Sequence, residues 1–189
     1  MLAGLEKPTR GDIIINENKV NRLSEKRLAV FRQKYIGFIF QSYNLIPTLT
    51  AEENVALPLV FRRMRKKKRI QSSKEMLTLV GLGERLRHKP TQMSGGQQQR
   101  VGIARAFVAR PAVVFADEPT GNLDSKTTIE VMHLMLKIAR DNNQTLVIVT
   151  HDKEIAEYAD RIIQLKDGAI IADYRPEKTP EPAPESTPV

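Results

Sequence analysis

The chain has 189 residues, of which 41% are hydrophobic, so it is long enough for one sizeable domain and too apolar to be disordered throughout. Its longest apolar runs, such as Leu146 to Val149, are far too short to cross a bilayer, and we expect no signal peptide after Met1. The chain has no cysteine, which excludes disulfides and thiolate metal sites and fits the cytoplasm, and its formal net charge is +8.

Apolar spacing predicts the first elements of the chain. Residues 12–20 predict a strand that turns at residues 16–18, and residues 23–34 predict a short amphipathic helix. The apolar run from Ile36 to Phe40 predicts a buried strand, and the polar Gln41 follows it directly.

A helical pattern then extends over residues 50–90, with one helix from Ala51 and another over residues 72–80. Between these helices, nearly every residue from Arg62 to Arg69 is basic. Such a run can attract nucleic acid or anionic lipid headgroups, or it can be the solvated face of a helix or loop. The run contains no aromatic residue for base stacking, which disfavours nucleic acid.

The middle of the chain predicts a helix, a strand and a further helix. Ser94 is a suitable N-cap for a helix that Pro111 terminates. The all-apolar run from Val113 to Ala116 predicts a strand buried on both faces of a parallel sheet. An apolar stripe from Ile129 to Ala139 predicts the second helix.

The last elements are a strand over residues 145–150, a helix over residues 153–159 and a hairpin whose turn is Asp167-Gly168. Strands that alternate with helices predict an α/β fold. Residues 175–189 are rich in Pro and Glu, and we expect them to form a disordered tail.

Two adjacent acids follow the strand from Val113 to Ala116. Asp117 and Glu118 would leave the sheet at its carboxyl edge, where α/β folds bind ligands. One carboxylate can hold Mg²⁺, and the other can orient a water for attack on phosphorus. The alternative is a strand that simply ends in two solvated acids.

A pair of glycines follows the N-cap serine. In Ser94-Gly95-Gly96, the glycines allow backbone N–H groups to approach an anion closely, and the helix adds its positive end. The alternative is an ordinary N-cap after a flexible turn.

Two further polar residues stand at predicted strand ends. His151 can donate a hydrogen bond to a phosphate oxygen, and the amide of Gln41 can reach a metal-bound water. Either residue can instead be structural or an ordinary polar strand terminus.

The order and spacing of these residues resemble the ATP-binding-cassette (ABC) ATPases. The matching segments are the Q-loop (Gln41), signature (Ser94 to Gln97), Walker B (Asp117-Glu118), D-loop (Asn122-Leu123-Asp124) and switch histidine (His151). The resemblance implies a P-loop-NTPase-like core with a mixed sheet. It also implies an ATPase domain over residues 1–174, with a helical subdomain over about residues 45–95.

The resemblance implies ATP and Mg²⁺ as cofactors and gives each residue a role. Asp117 and Gln41 would help to hold Mg²⁺, and Glu118 would be the catalytic carboxylate. Gln41 and His151 would sense the γ-phosphate and complete the catalytic group.

The remaining nucleotide-binding residues would act on ATP held by a second copy or a second ABC ATPase. They are Ser94, Gly95, Gly96 and Gln97, with Asp124 at the seam between the two chains.

Two segments resemble one branch of the ABC ATPases, the branch that drives lipoprotein release, macrolide-type export and cell-division permease complexes. These segments are residues 36–45 and residues 49–55. The implied function is the nucleotide-binding subunit of a transporter, peripheral on the cytoplasmic face of the plasma membrane. The implied partner is a membrane permease whose coupling helix contacts the region from Gln41 to Pro58. Nucleic acid is not an expected partner.

The phosphate-binding motif Gly-x-x-x-x-Gly-Lys-Ser/Thr does not occur in the 189 residues, so we expect a cassette truncated before Met1 and impaired when alone. Two alternatives remain open. One is a soluble ABC protein that acts on nucleic acid or ribosomes, and the other is a non-catalytic subunit that completes a partner's site.

Overall fold

A computed structural model describes residues 1–176. The chain divides into two compact units, Met1–Val149 and a second one that begins at Thr150. The predicted tail lies outside the described residues except for Arg175 and Pro176. Within residues 1–176, no helix combines the length and apolarity that crossing a bilayer requires.

The first unit begins with a small hairpin and a helix. The hairpin pairs β1 (Ile14–Ile15) with β2 (Asn18–Lys19), so the strand predicted over residues 12–20 is present only as two short pieces. The helix α1 spans Glu25–Tyr35, close to the predicted range.

A three-stranded parallel sheet follows. Its strands, in spatial order, are β3 (Ile36–Phe40), β4 (Val113–Asp117) and β5 (Thr145–Val149). The register aligns Phe40 with Asp117 and Asp117 with Val149, so the three strands end at one edge. All strand pairs in this sheet are parallel. The antiparallel pairs of the described residues belong to two separate two-stranded sheets.

Three helices lie between β3 and β4 in the chain. They are α2 (Ala51–Phe61), α3 (Lys66–Leu79) and α4 (Gly95–Phe107). The predicted start of the second helix at residue 72 is wrong, because the basic run is itself helical from Lys66. Lysine and arginine are good helix formers, and they extend a helix without adding an apolar stripe.

The sheet is not equally buried on its two faces. Val114 and Ala116 are fully buried, whereas Val113 and Phe115 are half-buried, so the prediction that β4 is buried on both faces is wrong. The residues packed against Phe115 belong to a small cluster from the amino-terminal segment and α1, which covers that ring only in part. The backbone of α4 packs so closely on β3 that a Cβ at Gly37 would lie 2.5 Å from the carbonyl oxygen of Ala106.

Helix α5 (Ser125–Asp141) joins β4 to β5. The second unit contains the short helix α6 (Lys153–Ala156), which ends before the predicted residue 159, and a hairpin of β6 (Ile162–Lys166) and β7 (Ala169–Tyr174). Asp167 and Gly168 both have positive φ values, 50° and 79°, so the predicted turn is confirmed.

Candidate functional site

The carboxyl edge of the parallel sheet brings together three of the predicted site residues. Phe40 pairs with Asp117, so Gln41 and Glu118 each follow a strand end at neighbouring positions. Asp117 is exposed and Glu118 is half-buried. Glu118 has a left-handed backbone, with φ of 43°, and its N–H donates to the carbonyl of Val149 at 2.9 Å. The chain therefore turns sharply at the predicted catalytic carboxylate while staying bonded to the sheet.

Gln41 packs against the turn that follows Glu118. Its carbonyl accepts a hydrogen bond from Nδ2 of Asn122 at 3.0 Å. A Cβ at Gly121 would lie 2.7 Å from Nε2 of Gln41, so only glycine fits at that position with the amide in place. The predicted Q-loop residue and the turn after β4 therefore form one contact.

Ser94 is the N-cap of α4, as the sequence predicts. Its hydroxyl accepts the N–H of Gln97 at 3.3 Å, and Oε1 of Gln97 accepts the N–H of Ser94 at 3.1 Å. This reciprocal pair is a capping box, which satisfies two N–H groups at the start of the helix. The side chains of Ser94 and Gln97 therefore have a structural role in addition to the predicted nucleotide contact.

The two glycines of the signature segment lie against residues of two other parts of the chain. A Cβ at Gly95 would meet the hydroxyl of Tyr43 at 2.8 Å, and a Cβ at Gly96 would meet Cγ2 of Thr127 at 2.8 Å. Tyr43 belongs to the loop after Gln41, and Thr127 lies in the first turn of α5. A side chain at either position would therefore displace its neighbour, so close packing favours the glycine pair even without an anion.

Asp124 is the N-cap of α5. Its carboxylate accepts the N–H of Thr127 at 3.0 Å and the Oγ1 hydroxyl of Thr127 at 2.7 Å. These hydrogen bonds stabilise the charged form and lower the pKa of Asp124 below its usual value. Its predicted place at the seam between two chains stays a prediction.

Two polar residues of α4 connect the predicted motifs, although no sequence pattern assigned them a role: Gln99 is buried and Arg105 is half-buried. Gln99 is fully buried, and its Nε2 donates to the carbonyl of Pro119 in the turn after Glu118. Arg105 donates to the carbonyls of Tyr43, at 2.8 Å, and Asn44. Burial lowers the pKa of Arg105, because the charged guanidinium loses water. One helix therefore holds the loop after β3 and the turn after β4.

A buried asparagine shapes the rest of the loop that follows Gln41. The side-chain oxygen of Asn54 accepts the N–H of Ile46 at 2.8 Å, and its Nδ2 lies within hydrogen-bond distance of the carbonyls of Ile46, Leu49 and Thr50. An amide with both a donor and an acceptor is the side chain that can do this. Asn54 lies within the segment of residues 49–55 that resembles the family, but its contacts could not be inferred from that segment.

His151 belongs to the second unit. It is exposed and comes two residues after β5 in the chain. Its predicted role as a sensor of the γ-phosphate stays a prediction.

The donor set at the sheet edge suits Mg²⁺ that arrives with a nucleotide. Within residues 1–176, no group of three or more acidic or histidine side chains is placed to hold a metal by itself. Mg²⁺ in proteins commonly takes one or two carboxylates, with waters and substrate phosphates as its other ligands. Asp117, exposed at the strand end beside Gln41, offers such a carboxylate.

A parallel sheet with acids at its carboxyl edge, connected to a glycine-led helix, is the arrangement that the resemblance to ABC ATPases implies. Residues 1–121 match the family described as ABC transporter. The chain therefore belongs to the ABC transporter family.

Two relatives confirm the predicted branch. The chain is 44% identical to the lipoprotein-releasing system ATP-binding protein LolD of Acinetobacter baylyi, over 89% of this chain and 74% of that protein. It is 46% identical to the macrolide export ATP-binding/permease protein MacB of a Shewanella species, over 96% of this chain and 28% of that longer protein.

A solved structure confirms the fold class. The chain superimposes with a TM-score of 0.83 and 43% identity on a dimeric, post-hydrolysis state of the ATP-binding cassette MJ0796 bound to ADP and Pi, over 94% of this chain and 78% of that chain. The predicted α/β core of an ABC ATPase is correct.

Proposed function

We propose that this chain is the nucleotide-binding subunit of an ABC transporter, which couples ATP binding and hydrolysis to transport by a membrane permease. The observation that carries the proposal is that Gln41, Asp117 and Glu118 lie at one sheet edge and that α4 hydrogen-bonds to the chain segments that follow them. Family membership and the ATP-binding relatives support the same function.

The acids at the sheet edge have different tasks in this proposal. Asp117, with Gln41, would hold Mg²⁺, and the bound ion would neutralise charge on the phosphates. Glu118 would accept a hydrogen bond from the attacking water and orient it toward phosphorus. The hydrogen bonds from the N–H of Glu118 to the carbonyl of Val149 and from Gln99 to the carbonyl of Pro119 fix the backbone that carries this carboxylate.

The start of α4 would serve a nucleotide on a second chain. The backbone N–H groups at Gly95 and Gly96, together with the positive end of the helix, favour an anion. The solved relative is a dimer bound to ADP and Pi, which supports a paired arrangement here. His151 and Asp124 would complete the site, as the family resemblance implies.

The loop after Gln41 and the start of α2 would receive the permease. Asn54 fixes this loop with hydrogen bonds, and Ile46 at its middle is 42% exposed. A fixed loop that presents an apolar side chain is suited to a partner helix. The chain would then lie at the cytoplasmic face of the membrane that contains the permease.

Replacing Glu118 with Gln tests the catalytic assignment. The assay uses a loop-bearing version of the chain, in which a strand and a Gly-x-x-x-x-Gly-Lys-Ser loop from a related cassette are fused ahead of Met1. We expect Mg²⁺-dependent phosphate release in that version, and we expect Glu118→Gln to reduce kcat by at least about 100-fold, because the amide cannot act as a base. ATP binding should remain.

Glu84→Gln is the matched control, because Glu84 is an exposed glutamate in the turn that follows α3. Its phosphate release should equal that of the unmodified version. Turnover by Glu118→Gln close to that of the control would remove Glu118 from the catalytic role. If the unmodified fusion is folded and binds ATP but releases no phosphate, the result would favour a non-catalytic subunit.

A further inference from the structure

The corner where α2 ends and α3 begins presents a cluster of positive charge beside two exposed apolar side chains. We call this cluster the basic corner; it consists of Val60, Phe61, Arg63, Arg65, Lys66, Lys67 and Lys68. All of its side chains are exposed, and the apolar pair is exposed by 40% at Val60 and 60% at Phe61. Cations and apolar groups therefore share one small surface.

Arg62 fixes the basic corner to the rest of the unit. Its guanidinium donates to the carbonyls of Gln33 at 2.7 Å and Lys34 at 2.6 Å, and also to the carbonyl of Ala109. The N–H of Met64 donates to the carbonyl of Leu59 at 3.0 Å, which closes the turn. Arg62 is therefore occupied inside the protein, and its neighbours are presented outward from a fixed turn.

The charges of the basic corner are unfavourable for the fold by themselves. Lys66, Lys67 and Lys68 fill the first turn of α3, which contains no acidic residue. The amino end of a helix is already positive, so cations there repel the helix dipole. Within residues 1–176, none of the three lysines has a carboxylate within ion-pair distance. Three cations at the positive end of a helix, without a carboxylate of this chain to pair with them, point to an anion from outside the chain.

We propose that the basic corner binds the anionic headgroups of a phospholipid bilayer. Lysine and arginine near an anionic leaflet gain energy from its negative surface potential. Exposed apolar side chains such as Phe61 can enter the boundary between headgroups and acyl chains. Single-stranded nucleic acid would need successive stacking rings, and the basic corner offers one aromatic ring.

The position of the basic corner agrees with a bilayer as its partner. Helix α2 has 11 residues and separates the corner from the loop that would receive the permease. At about 1.5 Å per residue, that separation is roughly 16 Å, so lipid that surrounds a permease would be within reach. The distance to the permease is relevant only under the proposed function. The charge and the exposure of the basic corner do not depend on it.

Vesicle sedimentation with the purified chain tests the inference without a permease or nucleotide. The vesicles contain either phosphatidylcholine alone or phosphatidylcholine with 30% phosphatidylserine. We expect binding to the anionic vesicles only, and we expect it to weaken as salt is raised. The triple variant Lys66→Gln, Lys67→Gln, Lys68→Gln should bind on the order of 100-fold more weakly, at roughly fivefold per lysine.

The matched control is Lys7→Gln, Lys26→Gln, Lys126→Gln, which removes the same charge from three exposed lysines elsewhere. It should retain binding within about threefold, and Phe61→Ser should weaken binding several-fold with every charge kept. Circular dichroism checks that each variant is folded.

Equal losses in the two triple variants would overturn the inference, because general positive charge would then explain binding. Failure of the unmodified chain to bind anionic vesicles, or tighter binding to a single-stranded oligonucleotide in competition, would also overturn it. The hydrolysis assay of Glu118→Gln is independent of these outcomes, so failure of one proposal is distinguishable from failure of the other.

Discussion

Gly95 and Tyr43 are in contact across two predicted motifs, and the contact distance decides which side chains fit. A Cβ on residue 95 would lie 2.8 Å from the Tyr43 hydroxyl, whereas the next ring atom is 3.8 Å away. Removing that hydroxyl would therefore leave ordinary van der Waals contact. Gly102, in the same helix, would have its nearest neighbours at 3.7 Å and already has room for a methyl group.

We predict that Gly95→Ala lowers the free energy of unfolding by about 1 kcal/mol, because the new methyl group displaces Tyr43. Tyr43→Phe in the same chain should restore most of that loss. Gly102→Ala is the control and should be neutral or stabilising by up to about 1 kcal/mol, since alanine favours the helix. Urea unfolding of the unmodified chain, Gly95→Ala, Tyr43→Phe and the double variant gives the coupling energy. Zero coupling between positions 43 and 95 would contradict the contact.

The residues that connect the site are also the ones that sequence patterns could not find. Gln99 and Arg105 act on backbone carbonyls that are 20 and 62 residues distant in the chain. A carbonyl has no sequence signature, so its partner cannot be inferred from residue types. Gln41, Asp117 and Glu118 could be placed because they stand where two apolar strand runs end, and parallel strands end at a common edge.

At the scale of elements, apolar periodicity predicted well where an element has a buried face. Strand β3 matches its prediction at both ends, and α4 begins after the predicted N-cap Ser94. Apolar periodicity failed to predict a helical segment that has no buried face. The first turns of α3 are exposed and basic, so their helical state depends on propensity and on the turn fixed by Arg62.

The cap of α5 supplies a prediction about pH. Hydrogen bonds from Thr127 lower the pKa of Asp124 in the folded state, so this carboxylate contributes stability above its unfolded pKa, about 3.9. That contribution is lost as the pH falls through the lower, folded value. Asn in place of Asp124 can still accept a hydrogen bond from the N–H of Thr127, but it does not titrate.

We therefore predict that Asp124→Asn melts below the unmodified chain at pH 7 and that the gap narrows as the pH falls below about 3.9. Thermal melts at one-unit pH intervals, in constant salt, measure the gap. Because all other carboxylates are shared by the two chains, their effects cancel in the difference. A gap that stays constant over this range would show that the charge of Asp124 does not stabilise the fold.

At the scale of the whole molecule, the proposed function needs two chains. Each chain would supply acids from its sheet edge to one nucleotide and the start of α4 to the other. The glycine-led start of α4 is already capped by Ser94 and Gln97, so it is preorganised before a second chain arrives.

We predict that the loop-bearing Glu118→Gln version dimerises when ATP is added, and that Ser94→Arg in it prevents dimerisation by filling the anion position. Multi-angle light scattering after size exclusion measures the mass. Ser24→Arg is the matched control, because Ser24 is an exposed N-cap of α1 whose side chain makes no capping hydrogen bond. Dimers that persist with Ser94→Arg would exclude this helix start from the interface.

The left-handed backbone at the site sets a limit on how stable this protein can become. Tyr43 and Glu118 have φ values of 60° and 43°, a conformation that costs such residues roughly 1–2 kcal/mol. Glycine would remove that cost at position 118 but would also remove the carboxylate. Under the proposed catalytic role of Glu118, thermal stability and turnover therefore favour different residues at position 118. Engineering for heat resistance should begin at Arg110, whose φ is 47° in the segment between α4 and β4, where glycine gives that relief away from the site.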